Sequence, residues 1–351
     1  MRRTIVLIFI VALLLTGCSW MDGEYHSVTP HSAAGNQETQ EPASVRGFVE
    51  LREALFALVE DGRQKGTFFT TGMDEETIDR YMRTSIRDMF MNNAVGAYAV
   101  EDITYTSGAA GNNIAIVVDV KYIHPRNEIL RIKRAEDMTA VENSVASSLK
   151  KCEASTVIRV KNYEEIDLVQ FVENYVNENP DICMEMPQVS TAVYPEWGND
   201  RVIEINFTYQ TARDALRNMQ DVVDPIFSSA QMYVQSSEEP LQKFEQLYSF
   251  LMERFDYKLE TSINPAYSLL RYGVGDSRAF ALVYATMCKN ADLECQVIPG
   301  TRNGEPWNWN MILLDDTYYH VDLLTCAENG AFTLMTVDEM EDYVWDYVSY
   351  E

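Results

Sequence analysis

Apolar positions along the chain recur with two periods, every second residue or every third to fourth, and the order of these patterns sets the expected architecture. "FVELREALFALVEDG", from Phe48, repeats its apolar residues every three or four places and predicts an amphipathic helix. From Thr67, "TFFTTG" predicts a short strand. Ile78, Met82, Ile86 and Met89 then mark one face of a helix, and "AYAVEDITYTSG" with "NIAIVVDVKYI" predicts a hairpin. The same order returns from Thr156: "TVIRVK" as a strand, a helix carrying Ile166, Leu168, Val172 and Tyr175, then "CMEMPQVSTAVYP" and "RVIEINFTYQ" as a hairpin. At the offset that takes Thr67 to Thr156, the strand residues Ile116, Val118 and Val120 fall on Ile205, Phe207 and Tyr209.

Both last strands alternate apolar with polar residues, so each predicted β-α-β-β unit buries one sheet face against its helix. Helical sequence follows each unit, "ILRIKRAEDMTAVENSVASSLKK" after the first and "ARDALRNMQDVVDPIFSSAQMYV" after the second. The C-terminal part opens with "PLQKFEQLYSFLMERFDYKLE", read as one helix. It continues through a second helix that starts at Ser277, several antiparallel strands and a last helical turn. The fold class is α+β, two β-α-β-β repeat units followed by a further α+β domain.

The N-terminus changes the picture. Arg2 and Arg3 precede an apolar run from Ile5 to Leu15 that is too short to span a bilayer comfortably and has the form of a secretory signal. "LLTGC" resembles a bacterial lipobox, which implies cleavage before Cys18 and a lipid on its new N-terminus. The stretch that follows, with Pro30 and Pro42 and no hydrophobic period, reads as a flexible tether. The expected organisation is therefore a signal peptide over 1–17, a lipidated tether over 18–45, repeat units over 46–150 and 151–236, and a C-terminal domain over 237–351. The folded part is expected outside the cell, held by lipid to the bacterial cell membrane, with a Gram-positive envelope favoured.

Composition narrows the partners. The 351 residues carry a formal net charge of -26, and removal of Arg2 and Arg3 with the leader makes the remainder more acidic still. This disfavours nucleic acid. Apart from Cys18, the cysteines are Cys152, Cys183, Cys288, Cys295 and Cys326, without close Cys-x-x-Cys spacing. That argues against a zinc ribbon and a dense disulfide framework; Cys152 with Cys183 is the one candidate bridge, and buried free thiols are the commoner fate. Neither repeat unit holds a cluster of histidines, carboxylates or glycines that would bind a metal or phosphate, and no cofactor is expected.

Candidate chemistry lies at "GDSRAFALVYATMC", where Ser277 falls at a helix start. Such a place favours an anionic nucleophile such as a thiolate. With "CKNADLEC" behind it and "WNWNMILLDDTYYHVDLLT" further on, this part resembles the transglutaminase-like superfamily, papain-like α+β domains with a Cys-His-Asp triad. The resemblance puts Ser277 at the family's cysteine, Trp307 at its histidine and Asp322 at its aspartate. Trp309 and Asn310 match the Trp-Asn that follows the family's histidine, and Leu323 departs from its usual proline. The ending "TVDEMEDYVWD" is similar to the tail of bacterial lipoproteins with this domain.

That chemistry needs a nucleophile and a base, and a neutral hydroxyl is a poor nucleophile without one. Trp307 donates one N–H and accepts nothing. Of the four histidines, His26 and His31 lie in the tether and His124 at a strand end. His320 is left as the one alternative base, and strand alternation puts it on the same face as Asp322. The expectation is a pseudoenzyme in which Ser277 serves as an N-cap or first-turn residue. Trp307, Trp309, Tyr318 and Tyr319 are candidates for an aromatic groove that binds an extracellular peptide, protein or glycan. The alternative is a divergent hydrolase or acyltransferase using Ser277 with His320 and Asp322.

Overall fold

The computed structural model describes residues 43–234, 239–259, 262 and 264–346. The predicted signal segment, Cys18, His26, His31 and the tether up to Pro42 lie outside them. Among the described residues no helix is long and apolar enough to cross a membrane.

The first module runs β1 (Ala43–Ser44), α1 (Phe48–Glu60), β2 (Lys65–Thr70), α2 (Glu75–Asn92), α3 (Ala94–Ala99), β3 (Val100–Ala110), β4 (Asn113–Tyr122) and α4 (Arg126–Ile129). Its sheet has the order β1-β2-β4-β3, with β1 parallel to β2 and the other pairs antiparallel. Asp74 starts α2 by accepting from the Thr77 N–H at 2.8 Å. Leu51, Leu55 and Leu58 of α1 and Ile78, Met82 and Met89 of α2 are buried with Phe68, Ile116, Val118 and Val120 of the sheet. Each set recurs at three to four residues on a helix or at two on a strand, so one stripe of each helix meets one sheet face.

The second module repeats that order with β5 (Lys133–Ala135), α5 (Met138–Lys150), β6 (Ser155–Val160), α6 (Leu168–Glu178), β7 (Gln188–Tyr194) and β8 (Arg201–Thr208). Its sheet reads β5-β6-β8-β7, with the same parallel and antiparallel pairs. Met138, Val141, Val145 and Leu149 of α5 and Leu168, Val172 and Val176 of α6 cover Ile158, Ile203, Ile205 and Phe207. Ile166 precedes α6, whose N-cap is Asp167.

Four expectations change here, the first being that Ala97–Ala99, read as the start of a hairpin strand, end α3, and β3 starts at Val100. Each module begins with a very short extra strand and a crossover helix, β1-α1 and β5-α5, ahead of the β-α-β-β order. The first module therefore takes in Ala43 to Val45, at the end of the predicted tether. The segment 133–150 packs into the second core, and not the first. The offset also shifts. Ala43 lies opposite Phe68 and Phe68 opposite Ile116, while Lys133 lies opposite Ile158 and Ile158 opposite Ile203. Phe68 thus corresponds to Ile158, whereas Thr67 and Thr156 occupy opposite sheet faces, because a slip of one residue exchanges faces.

The modules meet through the outer face of the second sheet. Val202 is buried in the first module's core. The Tyr98 and Tyr194 rings pack edge to face at 5.6 Å. Arg159 bonds Asp200 with both prongs, at 2.9 and 2.7 Å, and reaches Glu60 of α1 at 3.2 Å.

The third part contains α7 (Arg213–Val234), α8 (Pro240–Met252), β9 (Asp256–Tyr257), α9 (Pro265–Tyr272), β10 (Val274–Gly275), α10 (Ser277–Asn290), β11 (Cys295–Arg302), β12 (Glu305–Leu314), β13 (Thr317–Val321), α11 (Leu323–Asn329) and β14 (Tyr343–Trp345). Its antiparallel sheet has the order β13-β12-β11-β14. Helix α7 shares the core of α8, α9 and α10 through Leu216, Val223, Phe227 and Ala230, so it belongs with this part and not with the second module. The predicted helix through Glu260 stops at Met252, and Asp256–Tyr257 instead pairs in parallel with Val274–Gly275. The predicted last helical turn is a 3-10 turn, Val337–Glu339, followed by β14. The described cysteines are all free, so the Cys152–Cys183 bridge is not formed. Burial pushes the Cys183 thiol up to about 12.

Candidate functional site

Helix α10 is buried on most of its circumference, from Ser277 through Cys288. Tyr284 donates to the Phe244 carbonyl of α8 at 2.9 Å, and Asn310 Nδ2 on β12 donates to the Ala281 carbonyl at 3.0 Å. The helix is therefore fixed on two sides. Gly275 lets the chain enter it closely, because a Cβ there would stand 2.8 Å from the Ala279 Cβ.

Asp276 is the N-cap of α10, accepting from the Ala279 N–H at 2.9 Å. Ser277 is therefore the first helical residue, the first-turn alternative of the expectation, and the capping bond falls to its neighbour. Its Oγ is buried and accepts from the backbone N–H of Asn308 at 3.2 Å. The hydroxyl thus joins the helix start to β12 beside Trp307.

Trp307 Nε1 donates to Asp322 Oδ2 at 2.9 Å. The same oxygen accepts from Thr325 Oγ1 and from the Tyr343 hydroxyl, each at 2.7 Å, while Oδ1 caps α11 through the Leu324 and Thr325 N–H groups at 3.1 and 3.3 Å. Arg302 stands 3.7 Å from that carboxylate and 3.6 Å from Glu328, with its guanidinium 5.5 Å from the Trp307 ring centre. Asp322 is 1% exposed, so charge-assisted hydrogen bonds and a nearby cation replace its lost hydration. Burial, with the bond to Asp322, pushes the Tyr343 phenol well above its ordinary pKa.

His320 is engaged elsewhere. Its Nδ1 accepts from Trp309 Nε1 at 3.0 Å, and its ring lies 4.9 Å from that of Trp345. It pairs with Met311 across β12 and β13 and packs on the sheet face shared by Trp309, Met311 and Ile298. Asn310 and Ile312 point the other way, towards α10. The indoles at 307 and 309 thus satisfy acceptors at 322 and 320, one each. Although they lie two positions apart in sequence, His320 and Asp322 serve different tryptophans, and among the described residues no histidine bonds to Ser277. Burial lowers the His320 pKa and so favours the neutral ring that can accept from Trp309.

The four aromatics do not line one groove. Trp309 is a core residue, 1% exposed. Tyr318 is 49% exposed and donates to Glu294 at 3.0 Å. It lies opposite Leu313, and Tyr319 lies opposite Ile312. At about 3.4 Å per residue, Tyr318 is about 20 Å along the sheet from Trp307. Trp307 is instead accompanied by Tyr257 of β9, at a ring separation of 5.7 Å, and by Arg302. Tyr257 is 45% exposed. The sequence reading missed both; the drop in apolar periodicity at "RFDYKLE" is the signal that the helix ends before Tyr257.

A cleft between the second module and the third part is lined by Asn177, Pro180, Glu185, Asn264, Tyr267 and Arg278 among others. Glu185 is occupied there by the Gln210 and Thr211 N–H groups. Among the described residues no group of three or more His, Cys, Asp or Glu side chains could hold a metal ion.

No curated protein is significantly similar in sequence to this chain. Among solved structures it is similar to a protein described as a TGase, at 11% identity and a TM-score of 0.27 over 64% of this chain and 66% of that one. A second is a candidate cysteine protease from Cytophaga hutchinsonii, at 9% identity and a TM-score of 0.27 over 45% of this chain and 70% of that one. A third is a candidate protease from Parabacteroides distasonis, at 8% and 0.24 over 73% of this chain and 39% of that one. The chain thus spans just under two thirds of the first of these proteins. The family model of the transglutaminase-like superfamily matches residues 228–323, which take in the end of α7, helix α10, β11 to β13 and the positions 277, 307 and 322. Residues 228–323 therefore form a transglutaminase-like domain.

Proposed function

We propose that this transglutaminase-like domain has given up covalent catalysis and acts as a binding or scaffold module for an extracellular peptide, protein or glycan. In this reading the chain is held by lipid on Cys18 to the outer side of a bacterial cell membrane. The observation that carries it is the 2.9 Å bond from Trp307 Nε1 to Asp322 Oδ2. The indole fills the place and the hydrogen bond that the family resemblance gives to an imidazole, yet it has no lone pair with which to take a proton from Ser277. The Ser277 hydroxyl meets a donor, the Asn308 N–H, and not a base. Loss of nucleophile or base in a studied triad costs about 10⁶ in rate, about 8 kcal/mol. The exposed Tyr257 ring beside Trp307 leaves an aromatic surface next to these positions on which a ligand can rest.

The test is an amide hydrolysis and amine-transfer assay on the purified chain and on Ser277→Cys, Ser277→Ala and Ser277→Cys/Trp307→His. No turnover is expected from the native chain or from Ser277→Cys alone, whose thiol should keep ordinary reactivity towards an alkylating reagent. Turnover by the native chain that vanishes in Ser277→Ala would overturn the reading. The double variant, which restores a base beside Asp322, should show faster alkylation than Ser277→Cys. Lipid attachment is checked separately by incorporation of a labelled fatty acid, which Cys18→Ala should abolish.

A further inference from the structure

A sheet edge is a row of unpaired backbone donors and acceptors, and proteins blunt such edges with short strands, charges, prolines or covering segments. Nearly every edge described here is treated in that way. β1 has two residues, and β5 has three, including Lys133 and Arg134. β7 lies between Pro187 and Pro195, and its Tyr194 packs on Tyr98 of the first module. β14 has three residues, and β13 is covered where His320 exchanges both backbone hydrogen bonds with Met335, at 2.8 and 2.9 Å. β9 and β10 have two residues each.

β3 is the exception from Ile103 onward, past Glu101, Asp102 and the bulge between Val100 and Asp102 at its start. It has 11 residues, ends its sheet, and among the described residues nothing pairs with its outer side. Thr104, Thr106, Ser107, Gly108 and Ala109 are exposed. No lysine, arginine or proline interrupts the strand, and from Ile103 through Val118 the hairpin has no charged residue at all, in a chain of net charge -26. The corresponding edge of the second module, β7, is bracketed by prolines, so the same architecture is guarded in one copy and open in the other.

We propose that β3 is a self-association edge, at which two copies of this chain pair β3 to β3 antiparallel and join their four-stranded sheets into one. The occupant follows from charge and symmetry. Two acidic chains repel over most of their surfaces and touch most easily where charge is absent on both, which is the stretch of this hairpin from Ile103 to Val118. A cationic partner would gain more on the acidic faces. An antiparallel pairing of identical strands has a two-fold axis and closes on itself, whereas a parallel one does not, and small side chains such as Thr, Ser, Gly and Ala let the strands meet.

The test is sedimentation velocity on residues 19–351, freed of leader and lipid, at rising protein concentration and at low and high salt, with hydrogen exchange of the β3 amides under the same conditions. The expected result is a reversible dimer that strengthens with salt, as screening weakens the repulsion, and added protection in β3 that appears only as dimer forms. Thr104→Lys/Thr106→Lys, both at exposed positions, should remain folded by circular dichroism and sediment as a monomer at every concentration. A native chain that stays monomeric, a dimer that survives the lysine pair, or β3 protection independent of concentration, as when the chain's own N-terminal segment covers the edge, would overturn the proposal.

Discussion

Asp322 ties β12, α11 and β14 together without an imidazole. One oxygen caps α11 and the other gathers donors from β12, α11 and β14, with Arg302 as the nearby cation. The sequence spacing singled out positions 277, 307 and 322, and the fold places them at the start of α10, on β12 and between β13 and α11. What the side chains do was less legible. Strand alternation relates His320 to Asp322 but is blind to the indole that each one binds, and the two tryptophans separate them. His320 gives a pH test. Its folded pKa is depressed below the ordinary 6.5 by burial, so the unfolded chain binds the proton more readily. The stability that depends on its neutral form is complete above about pH 6.5 and is lost as the pH falls through the folded pKa. Protonation also removes the lone pair that accepts from Trp309. Denaturant midpoints of the native chain should therefore fall between pH 7 and pH 5 by more than those of His320→Asn. Equal falls would show that this ring does not couple folding to pH.

Strands depend on what lies across them, as β11 shows. Gly300 sits opposite Trp307 on one side and Trp345 on the other, and a Cβ there would stand 2.7 Å from the Trp309 ring and against the Val344 carbonyl oxygen. The missing side chain lets the Trp309 indole lie over β11 and reach His320. Gly300→Ala should overpack this site and cost about 1–3 kcal/mol. The loss should appear in the thermal midpoint together with a changed near-ultraviolet tryptophan signal. An unchanged signal would place the Trp309 ring elsewhere. Long periodic elements such as α2, β4, β8 and α10 were readable because each buries a whole stripe. β1, β5, β9 and β14 were not, because two or three residues carry no period and are fixed only by the strand or bridge beside them.

The whole molecule shows why the module boundaries fell where the sequence gives no sign. Helical sequence between two sheets can cover either, and only packing decides that α5 joins the second core and α7 the third. Contact between the first two modules rests on Val202, the Tyr98–Tyr194 pair and Arg159, which holds Asp200 of its own module and Glu60 of the other. Glu60 also accepts from Asn93 Nδ2 at 3.1 Å, and Asn93 caps α3 through the Gly96 N–H at 2.7 Å, so the ion pair is continuous with the start of the helix that carries Tyr98. The side chains are partly exposed, which limits their worth by screening. A double-mutant cycle with Arg159→Met and Glu60→Gln should give a coupling on the order of 1 kcal/mol, since the two groups share one hydrogen-bonded network. Arg159→Lys should recover only part of it, because an ammonium cannot hold both Asp200 oxygens and Glu60 in one plane. Strict additivity of the two single changes would mean that the modules are joined by their apolar faces alone.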